Sequence, residues 1–502
     1  MTTLFRGALG ACALALAVSE AGAATGLELE ACRLGEGALR VQAQCGTLTV
    51  PEDPATPDGR RLDLPVAVLR TTSREPKPDP LILLAGGPGQ AATEAFLPLL
   101  SALRRVRGDR DLILLDQRGT GESSLLTCSA FEDPAMTEGA QADPELMQEL
   151  AQTCATEIAA KADLRFYTTR DAAADLEALR QALGIDKLNL YGVSYGTRLA
   201  QVYATLYPNH VRSIVLDGVV PLDLAFGPAI GIDAQAALDR ILARCAATAD
   251  CNARFPKLAE SLARGLAALE AEPRKVRAAD PRTGLFDEVE VTREVAAQVL
   301  RLMTYSPETA ALLPLIVDAL GRGELDAIAG QWQIIGGELV QSMNQALSLA
   351  VICAEDEPYF DPAVIEASTK SFLRDDVPKA LAATCPVWPS RPLPEGARNA
   401  FVSDIPTLLL SGENDPVTPP TYGERVLAGL TKARHLVAPG QGHNVLPRGC
   451  ASRLVDQFLD TTDPQSLDAA CLEHLSAPEP FLSPAGPAAP PAKDSTTEET
   501  AS

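Results

Sequence analysis

A serine framed by glycines, Gly192-Val193-Ser194-Tyr195-Gly196, follows the apolar run Leu188–Tyr191 and precedes a helical stretch, Thr197–Tyr207. On a sharp strand-to-helix turn a serine hydroxyl is exposed for nucleophilic attack, and the tight backbone leaves room only for glycine two residues to either side. A hydroxyl is a poor nucleophile without a base and an acid that orients the base. Four histidines are available: His210, His435, His443 and His474. His210 reads as a surface turn residue, His435 lies inside a strand pattern, and His474 borders the C-terminal segment. His443 sits in Pro439-Gly440-Gln441-Gly442-His443-Asn444, a glycine-rich loop after a strand, and is the expected base. For the acid, Glu413 and Asp415 compete within Ser411-Gly412-Glu413-Asn414-Asp415-Pro416-Val417; Asp415, deeper in the turn, is favoured. The oxyanion formed by attack on a carbonyl needs backbone N–H donors. The glycine-rich loop Leu84-Ala85-Gly86-Gly87-Pro88-Gly89-Gln90 follows an early strand, so Gly87 and Tyr195, the residue after the serine, are the expected donors.

These side chains need a scaffold. Between residues 47 and 217, short apolar runs at Leu62–Leu69, Leu81–Leu84, Leu112–Leu115, Leu188–Tyr191 and Ser213–Leu216 alternate with helical patterns. Ala172, Leu176, Leu179 and Leu183 recur at helical spacing over Asp171–Leu183, and Gly184 stops that helix. Strands separated by helices imply crossover connections and a mainly parallel sheet. From 221 to 394 long helical patterns take over, including Asp233–Ala246, Thr292–Met303 and Trp332–Val351, with a hairpin-like interruption over Lys275–Val291. Strand patterns resume at Thr407–Leu410 and Arg434–Ala438. The expected architecture is an α/β core built from both chain ends (24–220 and 395–475) with an inserted, mostly helical cap (221–394). The proline-rich, polar end, 476–502, is expected to be a disordered tail.

Acidic residues number 66 against 43 basic ones, for a net charge of −23. Such a surface repels phosphate backbones and argues against nucleic acid as a partner. The histidines lack metal-ligand spacing and no CxxC occurs, so neither a metal site nor a cofactor is implied. At the N-terminus Arg6, the apolar run Ala8–Val18 and the small residues Ala21-Gly22-Ala23 read as a signal peptide, 1–23. Leu9-Gly10-Ala11-Cys12 offers a lipobox, but the apolar run continues past Cys12. No later segment reaches the ~18 uninterrupted apolar residues of a membrane span, so a secreted or periplasmic location is expected. Setting Cys12 aside leaves ten cysteines, an even set consistent with disulfides in an exported chain. Sequential pairing is the economical expectation: Cys32–Cys45, Cys128–Cys154, Cys245–Cys251, Cys353–Cys385 and Cys450–Cys471.

Taken jointly, Gly86-Gly87-Pro88-Gly89, Asp116-Gln117-Arg118-Gly119-Thr120-Gly121-Glu122-Ser123 and the segment around Ser194 resemble the proline iminopeptidase and tripeptidyl aminopeptidase family of α/β-hydrolases. Gly412-Glu413-Asn414-Asp415-Pro416-Val417-Thr418-Pro419-Pro420, with Cys450 and Cys471, is similar to the secreted tripeptidyl aminopeptidase branch. The resemblance runs from about residue 40 to 475 and is loosest in the cap. It implies an α/β-hydrolase fold and a serine exopeptidase acting on peptides with a free N-terminus. It also implies an acidic cap residue that holds the substrate's ammonium; the matching stretch is Val351-Ile352-Cys353-Ala354-Glu355-Asp356-Glu357, with Glu355 favoured. Ala85 stands where the family often has histidine, and Asn444 where it often has glycine, departures that bear on substrate preference. The expected function is an exported serine aminopeptidase using Ser194, His443 and Asp415. The alternative is an exported carboxylesterase of the same fold. A catalytically silent binding protein is a third reading, disfavoured because all three reactive residues are present.

Overall fold

The computed structural model describes residues 27–123, 126–132, 144–280 and 282–487. The expected signal peptide, Cys12 and residues 488–502 lie outside the described residues. In chain order the strands are β1 (Glu30–Leu34), β2 (Val41–Pro51), β3 (Arg61–Leu69), β4 (Leu81–Leu84), β5 (Leu112–Leu115), β6 (Leu188–Val193), β7 (Val211–Asp217), β8 (Arg274–Ala279), β9 (Phe286–Val291), β10 (Thr407–Gly412) and β11 (Ala433–Ala438).

β4 and β5 contain only leucine and isoleucine and are buried on both faces, which suits the middle of a sheet covered on each side. They lie within a nine-stranded sheet of order β1-β2-β3-β5-β4-β6-β7-β10-β11. From β5 to β11 every neighbouring pair is parallel, whereas β1, β2, β3 and β5 pair antiparallel. The antiparallel edge begins before residue 47, where the alternation used to read the sheet starts. Alternate residues of β6 serve the two faces: Leu188 and Leu190 join one apolar core, Tyr191 and Val193 the other.

The helix expected over Asp171–Leu183 spans Thr169–Ala182, opened by a reciprocal Thr168–Asp171 capping box and followed by Gly184 at φ +66°. The inserted region has its own apolar core, drawn from Ile230 to Leu373, and its β8–β9 hairpin matches the expected interruption. The helix expected over Trp332–Val351 is instead two, Asp326–Gln341 and Gln345–Glu355. Asn344 makes the break: its extended backbone leaves the helix, its side chain caps the Leu347 N–H at 2.9 Å, and its own N–H reaches Gly89 O at 2.9 Å. The second helix packs into the core of the sheet rather than that of the cap.

All five sequential disulfides are present: Cys32–Cys45, Cys128–Cys154, Cys245–Cys251, Cys353–Cys385 and Cys450–Cys471. Residues 476–487, expected to begin a disordered tail, are packed. Gln441 donates to Ser476 O (3.2 Å), Arg244 to Pro478 O (2.7 Å), and Phe481 N–H to Ala311 O (2.9 Å), while Leu482 is buried in the cap core. Composition alone hides this, because one buried leucine and a row of backbone acceptors suffice to hold a strap. Among the described residues no helix is long and apolar enough to cross a membrane.

Candidate active site

Ser194 joins β6 to the helix Tyr195–Leu206 with φ 56° and ψ −126°, a backbone region that L-residues rarely occupy. The two glycines are sterically required. A Cβ on Gly192 would meet Gly196 O at 2.3 Å, and one on Gly196 would meet Leu84 O at 2.1 Å. The Ser194 N–H is tied to Asp217 O at 2.9 Å. Tyr195 opens the helix, so its N–H has no carbonyl partner within that helix and stays available to an external acceptor.

His443 follows β11, and its Nδ1 lies 2.7 Å from Asp415 Oδ2 in the loop after β10. Asp415 is fully buried and also accepts from the N–H groups of Val417 (3.0 Å) and Thr418 (2.8 Å) and the Thr418 hydroxyl (2.7 Å). Burial works against charging His443, but the charge and hydrogen bond of Asp415 outweigh it and hold the imidazole above its ordinary range. Burial likewise disfavours the Asp415 anion, yet His443 and the loop N–H groups hold its carboxyl below the usual range. The cap contributes too: Tyr305 O accepts the His443 N–H at 2.8 Å, and the two rings meet edge to face with centroids 5.3 Å apart. Such a pair leaves Nε2 free to take a proton from a hydroxyl and return it to a leaving group.

Three of the competing residues, Glu413, His435 and His210, are engaged elsewhere. Glu413 accepts the Gly440 N–H at 2.7 Å on the exposed side of the loop. His435 lies 2.9 Å from Ser411 Oγ within the sheet, His210 lies 3.1 Å from Glu177, and His474 follows the short helix Ala470–Glu473.

Ser194, His443 and Gly87 line one cavity of about 640 Å³ between core and cap. Its walls are largely apolar, with Phe96, Leu99, Phe226, Ile230, Leu349 and Leu381 among them. Charge enters from the cap. The helix Arg293–Met303, capped by Thr292, turns Glu294, Ala297, Gln298, Arg301 and Leu302 to the cavity, and Asp376 joins them. Behind these acids the buried Arg293 reaches Asp376 (3.4 Å) and Glu294 (3.7 Å). Burial pushes the Asp376 carboxyl up, with Arg293 opposing. Arg301 donates to the Tyr305 hydroxyl at 2.7 Å, which sets the cation at the His443 end.

Glu355, expected to face a substrate ammonium, is not among the residues lining this cavity. Its carboxylate accepts the Thr169 N–H (2.6 Å) and hydroxyl (2.8 Å) and lies 3.8 Å from Arg198. Thr169 Oγ1 is in turn 2.9 Å from the Tyr195 hydroxyl. Asp356 is bound by both terminal nitrogens of Arg198, at 3.0 and 2.9 Å. The helix end is therefore stitched to the scaffold around Ser194. The Asp116–Ser123 motif is a brace as well: Asp116 holds Thr93, and the buried Arg118 pairs with Asp175 at 2.6 Å.

Sequence reasoning passed over Thr418, Tyr305, Glu294, Asp376 and Asp217. Thr418 sits three residues beyond Asp415 and could have been found as the cap of its turn. The cap residues come together only through long-range packing, which no local pattern records.

The profile of the alpha/beta hydrolase fold matches residues 79–449. The chain belongs to the α/β-hydrolase fold family. Among curated proteins, this α/β-hydrolase is similar to the serine protease Hip1 of Mycobacterium tuberculosis, at 28% identity over 87% of this chain and 90% of that protein. It is also similar to the tripeptidyl aminopeptidase of Streptomyces coelicolor, at 35% identity over 39% of each chain. Among solved structures, the proline iminopeptidase of Mycobacterium smegmatis aligns with a TM-score of 0.37 at 15% identity, over 84% of this chain and all of that one. The resemblance read from the motifs and the names of the two curated relatives agree on a serine peptidase of the α/β-hydrolase family.

Proposed function

We propose that this α/β-hydrolase is an exported serine aminopeptidase that cleaves peptides near a free N-terminus. Ser194 Oγ attacks the scissile carbonyl while His443 Nε2 takes its proton, and Asp415 holds the imidazole and stabilises its charged form. The backbone N–H groups of Gly87 and Tyr195 receive the oxyanion, helped by the positive end of the helix Tyr195–Leu206. His443 then protonates the leaving amine, and water enters by the reverse route to release the acyl group. No step calls for a metal or cofactor.

The observation that carries the reading is the charge layout of the cavity roof. Glu294, with Asp376 beside it, lies two helical turns from Arg301, which is anchored next to His443. Seven residues of helix span about 10.5 Å, close to the reach of three extended residues at about 3.3–3.6 Å each. A substrate ammonium at the acidic end would then bring a carbonyl about three residues along to Ser194, which favours release of short N-terminal fragments. We assign the ammonium to Glu294 and Asp376 in preference to Glu355, because the first two line the cavity and Glu355 does not. The engaged strap, the disulfides and the name of the Streptomyces relative are consistent with an exported peptidase.

The apolar walls also suit the alternative, a small neutral ester. Hydrolysis of one peptide series with free and acetylated N-termini, beside a simple ester, separates the two. An aminopeptidase cleaves the free peptides and loses most of its rate on acetylation; equal rates on both would overturn the reading in favour of the esterase.

A further inference from the structure

Asp217, at the end of β7, is fully buried and is neither the acid paired with His443 nor a residue of the cavity. Its carbonyl accepts the N–H of Ser194 at 2.9 Å. Its carboxylate accepts the N–H of Val445 (2.8 and 3.0 Å), the N–H of Leu446 (2.8 Å) and the Tyr191 hydroxyl (2.8 Å). One residue thus grips the backbone of Ser194 on one side and the chain leaving His443 on the other. The next residue closes the gap: Gly218 has φ +67°, and a Cβ there would meet His443 Cε1 at 2.9 Å and Thr418 Oγ1 at 3.0 Å. Asn444, between His443 and the bonded N–H groups, is itself held at φ 70°. A loop in so strained a conformation relaxes unless its surroundings hold it.

We propose that Asp217 is a positioning residue for hydrolysis, setting the separation of Ser194 and His443 by holding both of their backbones from the end of β7. This rests on the assignment of those two residues as nucleophile and base. A hydrophobic residue could fill the same space but could not accept three donors, so buried N–H groups would be left unpaired. A misplacement of about 1 Å between reacting groups is enough to cost on the order of 100-fold in rate. Asp217 also faces His443 as a second carboxylate. The other charged or titratable groups facing the imidazole are Asp415 from the loop after β10 and Arg301 and Tyr305 from the cap. Burial pushes the Asp217 carboxyl up, while its N–H and hydroxyl donors and His443 act against that rise.

The test is Asp217→Asn, which keeps the size but turns an amide NH2 toward a backbone donor. The expected result is a kcat lower by on the order of 100-fold, with KM changed by less than about 3-fold. The acid limb of the kcat/KM profile moves to lower pH, because an anion facing His443 is gone. Tyr191→Phe removes one donor and keeps the ring against Phe96; it lowers kcat by less than about 10-fold in the same direction and carries the test if the first variant does not fold. Wild-type kcat in Asp217→Asn, or a loss of kcat with an unmoved acid limb, overturns the proposal. Phosphonylation of the wild type by a fluorophosphonate tests the serine assignment separately. If Ser194 is not labelled, that assignment fails; if it is labelled and Asp217→Asn matches the wild type, only the positioning role fails.

Discussion

Glu355 and Thr169 are joined twice, through the Thr169 N–H at 2.6 Å and its hydroxyl at 2.8 Å, which ties the end of the helix Gln345–Glu355 to the start of Thr169–Ala182. Burial pushes the Glu355 carboxyl up, while Arg198 and the two Thr169 donors oppose it. Glu355→Gln is accordingly expected to destabilise the fold by about 1–3 kcal/mol, with equal effects on free and acetylated peptides. Glu294→Gln or Asp376→Asn should instead cost about 1.5–3 kcal/mol in kcat/KM for free peptides and little for acetylated ones. Chemical denaturation and paired kinetics read the two effects apart.

Ser194→Ala should lower kcat by on the order of 10⁶-fold while leaving the melting temperature near that of the wild type. Ser194→Gly should be equally inactive yet more stable by about 1 kcal/mol, because glycine removes the cost of the positive φ. Thermal melts beside peptide hydrolysis check both.

His443 must be neutral to accept a proton, and burial opposed by Asp415 leaves its folded value above the ordinary one. The acid limb of kcat/KM should therefore lie above pH about 6.5. Asp415→Asn should move that limb down and lower kcat by on the order of 10⁴-fold. In stability, the His443 contribution is full below its unfolded value near 6.5 and is lost as pH rises through the folded value. The Asp415 contribution is present above its unfolded value and lost as pH falls through the depressed one. Melting temperatures across the pH range test these opposite signs.

The Cys353–Cys385 bridge joins the helix Gln345–Glu355 to the end of the inserted region. Replacing both cysteines by serine should cost about 2–4 kcal/mol, read as a shift in denaturation midpoint. Mass spectrometry after alkylation without reduction should find no modified cysteine among the ten.

The strap gives a further test. Ending the chain after Leu475 removes the buried Leu482 and the Phe481–Ala311 bond. The expected loss is about 1.5–3 kcal/mol, read by thermal melting.

The candidate residues Ser194, Asp415 and His443 were legible as a group because each sits where a strand stops and a glycine-marked turn begins, and turn chemistry is local. With few histidines to choose from, elimination reached His443. The order of Glu413 and Asp415 was readable only as depth in a turn, a weaker cue. The break at Asn344 was hidden because apolar residues continue at helical spacing on both sides of it. The setting of Glu355 was hidden for a related reason: acids at a helix end look free until the partners of Glu355 and Asp356, Thr169 and Arg198, arrive from distant parts of the chain. The edge strands β1 and β2 were missed because β1 buries no residue and β2 only Ala43, Leu48 and Val50, too few to mark an apolar run.

The insertion that separates β7 from β10 also sets the order in which the site comes into being. Ser194 and its turn are synthesised about 250 residues before His443, and a chain emerging at ~5–20 residues per second needs on the order of 10–50 s to bridge that interval. Until β10 docks on β7 and β11 on β10, Ser194 lacks both the proposed base, His443, and the proposed acid, Asp415. On the proposed assignment a nascent or truncated chain is inert by topology, and hydrolysis waits until the last two strands join the sheet.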